Sequence, residues 1–414
     1  MTPAVRGRIS EAARGKLFVL IITNFVDMVG VLMIIPLLPY YARDLGAGSL
    51  VVAIIFGSFT VAQLLSAPLW GRFSDRYGRR PALLVGLTAS AIAYIVFAFA
   101  GSIWLLLLSR VVQGAGGGTV GVIQAYVADS IEQRNRAKAL GWLSAATNVG
   151  VAIGPVIGSL ALLKFGKHGP GLTAAALCIV NVFFAWRYLK ESRDMKQVSE
   201  KKPRASREAI ARVITHAGEP APRLIWVYAI AMGAFSGMNV VLALFLYDRF
   251  HVDKNHVWIF FTYVGVISVI TRAGILGWMV DRFGEAKLSR AGLVMLAIGL
   301  AGMPLARDYV VLAVAIALVP LGTAFTFPCV TSMLSRHIAS NERGLYMGVQ
   351  QTFGGIGRVV IPLWAGFSYD RFGHSIPFFT SALLVLGAMF IGLGVDDGRG
   401  PVQAPDPGTS AFAA

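Results

Sequence analysis

Twelve uninterrupted apolar runs take up most of the chain, at roughly 17–41, 50–70, 81–100, 103–128, 138–162 and 171–189, then 223–247, 256–280, 288–305, 309–334, 344–368 and 375–395. At 1.5 Å per residue, a helical run of about twenty residues crosses the ~30 Å hydrocarbon core of a bilayer. Hydrocarbon offers no partner to backbone N–H and C=O groups, so each run is expected to be helical. Charged residues make up 14% of the chain and hydrophobic ones 56%, against about 25% charged in a soluble domain. The expected fold class is therefore an all-α polytopic membrane protein with twelve transmembrane helices.

The basic residues orient it. Of the 37 Lys and Arg, three fall within spans and seven (Arg43, Lys164, Lys167, Arg249, Lys254, Arg307 and Arg371) in loops on one side. The rest lie on the other side, which places both termini in the cytoplasm. The net charge of +16 is thus mostly topological, and its scatter over short loops argues against a nucleic-acid partner. The first run contains Asp27, Pro36 and Pro39 and lacks a small-residue cleavage site, so it reads as a retained helix rather than a signal peptide. Two cysteines, Cys178 and Cys329, sit in separate spans and form neither a disulfide framework nor a metal spacing.

The chain repeats itself. Gly71-Arg-Phe-Ser-Asp75-Arg76-Tyr-Gly78-Arg79-Arg80-Pro81 lies between the second and third runs, and a degraded copy begins at Gly277, with Asp281, Arg282 and Gly284 in the same spacing. Gly141–Gly166 and Gly348–Gly373 also align: Gly150 meets Gly357 and Pro155 meets Pro362. Two pseudo-symmetric six-helix bundles, parallel repeats about the membrane normal, follow from this. The expected organisation is an N-terminal bundle over 1–189, a polar cytoplasmic linker over 190–222, a C-terminal bundle over 223–395 and a disordered tail over 396–414. A short amphipathic helix is expected within the linker near Arg204–Ile214, and Pro220 and Pro222 interrupt the approach to the seventh span.

Charges in hydrocarbon cost a few kcal/mol each on insertion scales, so the four survivors, Asp27, Arg110, Arg272 and Arg358, mark candidate sites. Asp27 is the one acid. Desolvation disfavours its charged form and a nearby arginine favours it, a balance suited to taking up and releasing a proton. The bland alternative is a structural carboxylate bonded to Asn24 or to backbone. Gln113, one turn deeper than Arg110, is better levelled with Asp27, so Arg110 is expected to act through it or through water. Arg272 could snorkel toward the second charged segment. Arg358, in the eleventh span with no acid in that half's spans, could attract an anionic group or bond to carbonyls at a helix break. Gly150, Gly154, Pro155 and Gly158 form a small-residue stripe for close helix approach, bent by the proline. Gly114–Gly118 has no preceding strand and no following Gly-Lys-Ser/Thr, so packing is expected there rather than a phosphate loop.

These motifs together resemble the major facilitator superfamily, specifically its twelve-span drug:proton antiporter branch. Residues 71–81 are similar to the superfamily's signature after helix 2, Arg110-Val-Val-Gln113-Gly114 to the branch's fourth-helix motif, and Gly150–Gly158 to its fifth-helix antiporter motif. Asn24-Phe-Val-Asp27-Met-Val-Gly30 resembles the first-helix motif. The resemblance implies that Asp27 carries the proton with Arg110 as its coupling partner. It also implies that Gly71, Asp75, Arg76, Gly78, Arg79, Arg80 and Asp129, with Asp281 and Arg282 in the second half, form a conformational gate. In that gate Asp75 faces the start of the eleventh span, where the helix dipole favours it, and Arg76 and Asp129 join it in an inner charge cluster that latches the outward-open state. Arg79 and Arg80 also fit a simpler reading as topology-setting charges. The chain looks similar to tetracycline pumps through Phe25-x-Asp27-x-x-Gly30 and Ala125-Tyr126-Val-Ala-Asp129. Ala93, however, stands before Tyr94 where those pumps carry an acid, and the ninth span holds none, a departure from the pattern for a metal-chelated drug.

The expectation is a non-enzymatic secondary transporter exporting small, largely apolar compounds across a bacterial cytoplasmic membrane in exchange for protons. It needs no cofactor and no metal, and it acts as a monomer. Candidate cavity residues are Asn24, Gln63, Tyr94, Gln113, Gln124, Asn148, Phe235, Met238, Asn239, Tyr263, Gln350, Gln351 and Arg358. An exporter or importer of an endogenous metabolite (a sugar, siderophore or organic anion) is the alternative on the same fold.

Overall fold

Proline and glycine decide where the apolar runs bend. In the computed structural model, which describes residues 11–117, 119–192, 203–339 and 342–396, all twelve runs are helical. The first is split by Pro36 and Pro39 into α1 (Glu11–Ile34) and α2 (Leu38–Asp44). The fourth is split at Gly117 into α5 (Ile103–Gly116) and α6 (Thr119–Ser130). Between them come α3 (Ser49–Tyr77) and α4 (Arg79–Ala98), and α7 (Gln133–Phe165) and α8 (Gly169–Tyr188) complete the first half. The linker forms α9 (Pro203–Thr215), whose Ala209 and Val213 are buried on the second half. Pro220 opens α10 (Pro220–Phe250) from its first turn, where a missing N–H costs nothing. The eighth run comprises α11 (Trp258–Ile270), a π-helical turn at Thr271–Ile275 and α12 (Leu276–Phe283). Then follow α13 (Glu285–Leu305), α14 (Tyr309–Arg336), α15 (Arg343–Phe372) and α16 (Ile376–Ile391).

Among the described residues, nine stretches are long and apolar enough to cross a membrane, one of them, Ala139–Tyr188, covering most of α7 and all of α8. The more polar α15 and the shorter α16 make up the rest of the bundle. Exposed Leu65, Val180 and Leu383 face outward as a lipid-bathed surface requires. Exposed Trp104 and Tyr309 lie at one end and Trp186, Tyr188 and Trp278 at the other, the arrangement of two interfacial belts.

Small residues set the helix spacing. A Cβ on Gly150 would lie 2.9 Å from Met28 Cβ, on Gly154 2.7 Å from Leu32 Cβ, and on Gly158 2.5 Å from Met33 O, so α7 is drawn hard against α1. The second half repeats the device: a Cβ on Gly357 would lie 2.3 Å from Ala229 O, where α15 meets α10. Pro155 stays inside a continuous α7.

The charged signature is helical up to its second glycine. Gly71–Tyr77 are the last two turns of α3, and Leu276–Phe283 are likewise helical, so the reversal is confined to Gly78 (φ +102°) and Gly284 (φ +77°). Only glycine adopts such values without strain. The two halves meet along α3 and α15, where Gly355 abuts Leu64, and along α7 and α11, where Gly265 abuts Ala152. Polar contacts between halves gather at the end opposite these turns. There Arg43 pairs bidentately with Asp248 (2.6 and 2.8 Å), Tyr40 donates to Val252 O (2.9 Å) and Leu50 N donates to Asp370 (3.0 Å). The expected tail beyond Asp396 and residues 193–202 of the linker lie outside the described residues.

Candidate functional site

A cavity of about 260 Å³ lies between the halves at mid-depth. Its wall is mostly apolar, with Leu32 from α1, Ile35 from the turn after it, Phe56 and Phe59 from α3, Phe235 from α10 and Phe261 from α11. Thr60, Ser236 and Asn239 add neutral polar groups, and Pro155 and Pro362, corresponding residues of the repeat, face it from α7 and α15. Two cations complete the wall: Arg110 from the first half and Arg358 from the second.

Arg110 is almost fully enclosed, 2% exposed, and its guanidinium lies 4.9 Å from the centre of the Phe59 ring. It donates to Gln113 Oε1, and Gln113 Nε2 donates to Tyr94 Oη at 2.6 Å. Ser102 caps the start of α5 by accepting from Leu105 N, so both residues project from a well-anchored helix. Behind Phe59, which borders both spaces, a small side pocket is walled by Asp27, Gln63, Ser90 and Gln113. Asp27 is 9% exposed, and among the described residues no hydrogen bond or ion pair engages its carboxylate. Arg110 therefore reaches the Asp27 pocket through Gln113, while facing the main cavity itself.

Of the expected cavity residues, Phe235, Asn239 and Arg358 line the main cavity, and Gln63 and Gln113 the side pocket. Others hold helices together instead. Asn24 donates to Leu143 O (3.1 Å) and Thr147 Oγ1 (2.7 Å), tying α1 to α7. Tyr94 packs on Gly30 and Met238 is core. Gln350 accepts from Thr331 (3.4 Å) and Gln351 donates to Tyr228 (3.4 Å). Gln124 and Tyr263 are exposed. Asn148 accepts from Arg272 at 2.9 Å, so this arginine bridges the halves rather than snorkelling toward the α12 turn. Phe56, Phe59 and Phe261 went unforeseen, because apolar residues in apolar spans carry no mark of facing inward.

Several of the expected gate residues pair with one another in this form. Arg79 pairs with Asp75 (2.9 Å) and Asp129 (2.9 Å) and donates to Ser74 (2.7 Å). Arg76 instead lies over the Tyr77 ring. The backbone N–H groups of Arg79 and Arg80 donate to Glu191 (2.9 and 3.0 Å), an acid at the start of α4 where the helix dipole favours it. Arg80 donates to Trp186 O (2.6 Å), so neither arginine is merely a loop charge. In the second half Glu285 pairs with Arg336 and accepts from Ser332 (3.0 Å), while Arg282 lies between the rings of Trp278 and Phe283. Asp281 is exposed at the end of α12.

Two pseudo-symmetric helical halves around a central cavity with buried charges define a membrane transporter of the alternating-access class. The chain belongs to the Major Facilitator Superfamily, matching it over residues 20–276 and 273–412. It is therefore a membrane-embedded transporter of small molecules and not an enzyme. Its relatives include the class B tetracycline resistance protein of Escherichia coli, 25% identical over 89% of this chain and 92% of that one. Multidrug resistance protein 2 of Bacillus subtilis is 23% identical over 90% of this chain and 93% of that one. The crystal structure of the human organic anion transporter MFSD10 superposes with a TM-score of 0.70 at 23% identity, covering 92% of this chain and 99% of that one, a likeness of fold alone.

Proposed function

We propose that this protein exports small, largely apolar compounds across a bacterial cytoplasmic membrane in exchange for protons. The observation that carries this reading is Asp27, enclosed without an ion pair among the described residues, in a pocket that Gln113 links to an arginine of the main cavity. A carboxylate in that setting can change charge at modest cost, and its charge is felt at the cavity through Arg110. The relatives, named for tetracycline and multidrug resistance over nine-tenths of the chain, support export.

With the termini in the cytoplasm, the contacts around Arg43 and Asp248 close the outer end, and the form described is the inward-facing one. Apolar compounds enter from the cytoplasm, the halves rock about the cavity, and outside protonation of Asp27 favours release. Coupling requires only that the proton and the compound stabilise different conformations. No cofactor takes part, and one chain suffices.

Efflux of a preloaded lipophilic fluorescent dye from a pump-deficient bacterial strain tests this reading. Expression of the protein should speed efflux, a protonophore should abolish the gain, and Asp27→Asn should match the empty-vector strain at equal membrane abundance. Efflux that ignores both protonophore and substitution would remove proton-driven export.

A further inference from the structure

The cavity's charges say what kind of compound it holds. Arg110 and Arg358 face the same small, apolar space, and no acidic residue is among its lining residues. Neither guanidinium is neutralised within the described residues: Arg110 is hydrogen-bonded only to the neutral Gln113, and the Nε of each arginine is buried without a partner. Two like charges facing a low-dielectric cavity repel each other and have each lost hydration. Such a pair is relieved by one anionic group lying between them, since each guanidinium fork matches carboxylate geometry. Resting on the export reading above, we propose that the preferred substrate is an apolar monoanion, with its acidic group held between Arg110 and Arg358 and its apolar body against Phe56, Phe59, Phe235 and Phe261.

The charge balance supports a monoanion. With Asp27 ionised, the two arginines and this carboxylate leave one positive charge, which a single anionic group neutralises. The anion-loaded site therefore needs no proton. Arg110 belongs to the first half and Arg358 to the second, so the acid ties the halves together, whereas the proton at Asp27 sits wholly within the first. Size sets a further limit. A cavity of about 260 Å³ lies just under the range of about 300–1,000 Å³ usual for drug-sized ligands, so a two-ring aromatic acid suits it in this form.

The test uses the purified full-length protein and a matched pair of probes, 2-naphthoate and 2-naphthamide, with binding followed by titration calorimetry. The acid should bind at least about tenfold more tightly than the amide, the difference one charge-assisted hydrogen bond makes. Arg358→Gln should collapse that ratio to about one, and Arg358→Lys, which keeps the charge, should retain a preference for the acid. Equal binding of acid and amide, binding of neither, or a ratio unchanged in Arg358→Gln would overturn the assignment. If the acid shows no preference while dye efflux still depends on Asp27, the anion assignment falls and the export reading stands. If the acid is preferred but no dye is exported, the reverse holds.

Discussion

Arg79 and Glu285 occupy matching places after the two sharp turns, yet carry opposite charges, and their partners Asp129 and Arg336 are reversed to suit. The duplicated scaffold has kept an ion pair at each site while exchanging its polarity. Because Arg79 is largely enclosed, its pairing with Asp129 is worth more than a surface bridge, and removing one partner strands the other. Arg79→Ala is expected to cost about 1–3 kcal/mol. A cycle of Arg79→Ala, Asp129→Ala and the double variant, read by thermal unfolding in detergent, should show coupling of about 1 kcal/mol. Strict additivity would refute the pairing. The spacing around Asp75 and Gly78 was legible in the sequence as a signature, but the pairing of Arg79 with Asp129 was not. Arg79 meets Asp129 and Glu191 only through the fold, across fifty and more positions of sequence, and adjacent arginines look alike until geometry separates them. Asp27, Arg110 and Gln113 were legible because polar groups inside apolar runs stand out, and the arithmetic of helical rise already levelled Gln113 with Asp27.

At the scale of elements, the run lengths and the glycine stripes carried most of the information. Apolar length located the helical runs, and the four-residue spacing of Gly150, Gly154 and Gly158 foretold a close helix contact without naming α1 as its partner. Gly158→Leu should drive its side chain into Met33 backbone and lower stability by about 1–3 kcal/mol, as overpacking does. Gly141→Ala, in the same helix with nothing near its Cβ, should be neutral or stabilising. Similar melting temperatures for the two variants would contradict this packing. What the sequence hid was the persistence of helix through Gly71–Tyr77 and the π-turn at Thr271–Ile275 that carries Arg272 to Asn148. Both depend on contacts with other helices rather than on local pattern.

For the whole molecule, the conformation is decided where the halves touch. The closing contacts centre on Asp248, which binds Arg43 and Tyr369 (2.7 Å) and lies 3.9 Å from His374. In the sequence Arg43 stood out only as one of seven loop charges and the others not at all, because charges at span ends are commonplace and only the fold shows that these converge. Asp248→Ala removes the acceptor shared by both halves and should shift the population toward the outward-open form. A cysteine introduced at the cavity-lining Ser236 should then react about tenfold faster with an impermeant maleimide added outside, the shift expected from losing a charge-assisted pair. An unchanged rate would mean that these contacts do not hold the outer end shut. The central claim is that Asp27 carries the proton exchanged for substrate, and everted vesicles test it most directly. With the lumen acidified and a panel of lipophilic compounds added, luminal pH should rise on addition of a substrate, and the rise should vanish in Asp27→Asn at equal expression. A rise that persists in Asp27→Asn would contradict the account and move the proton site elsewhere.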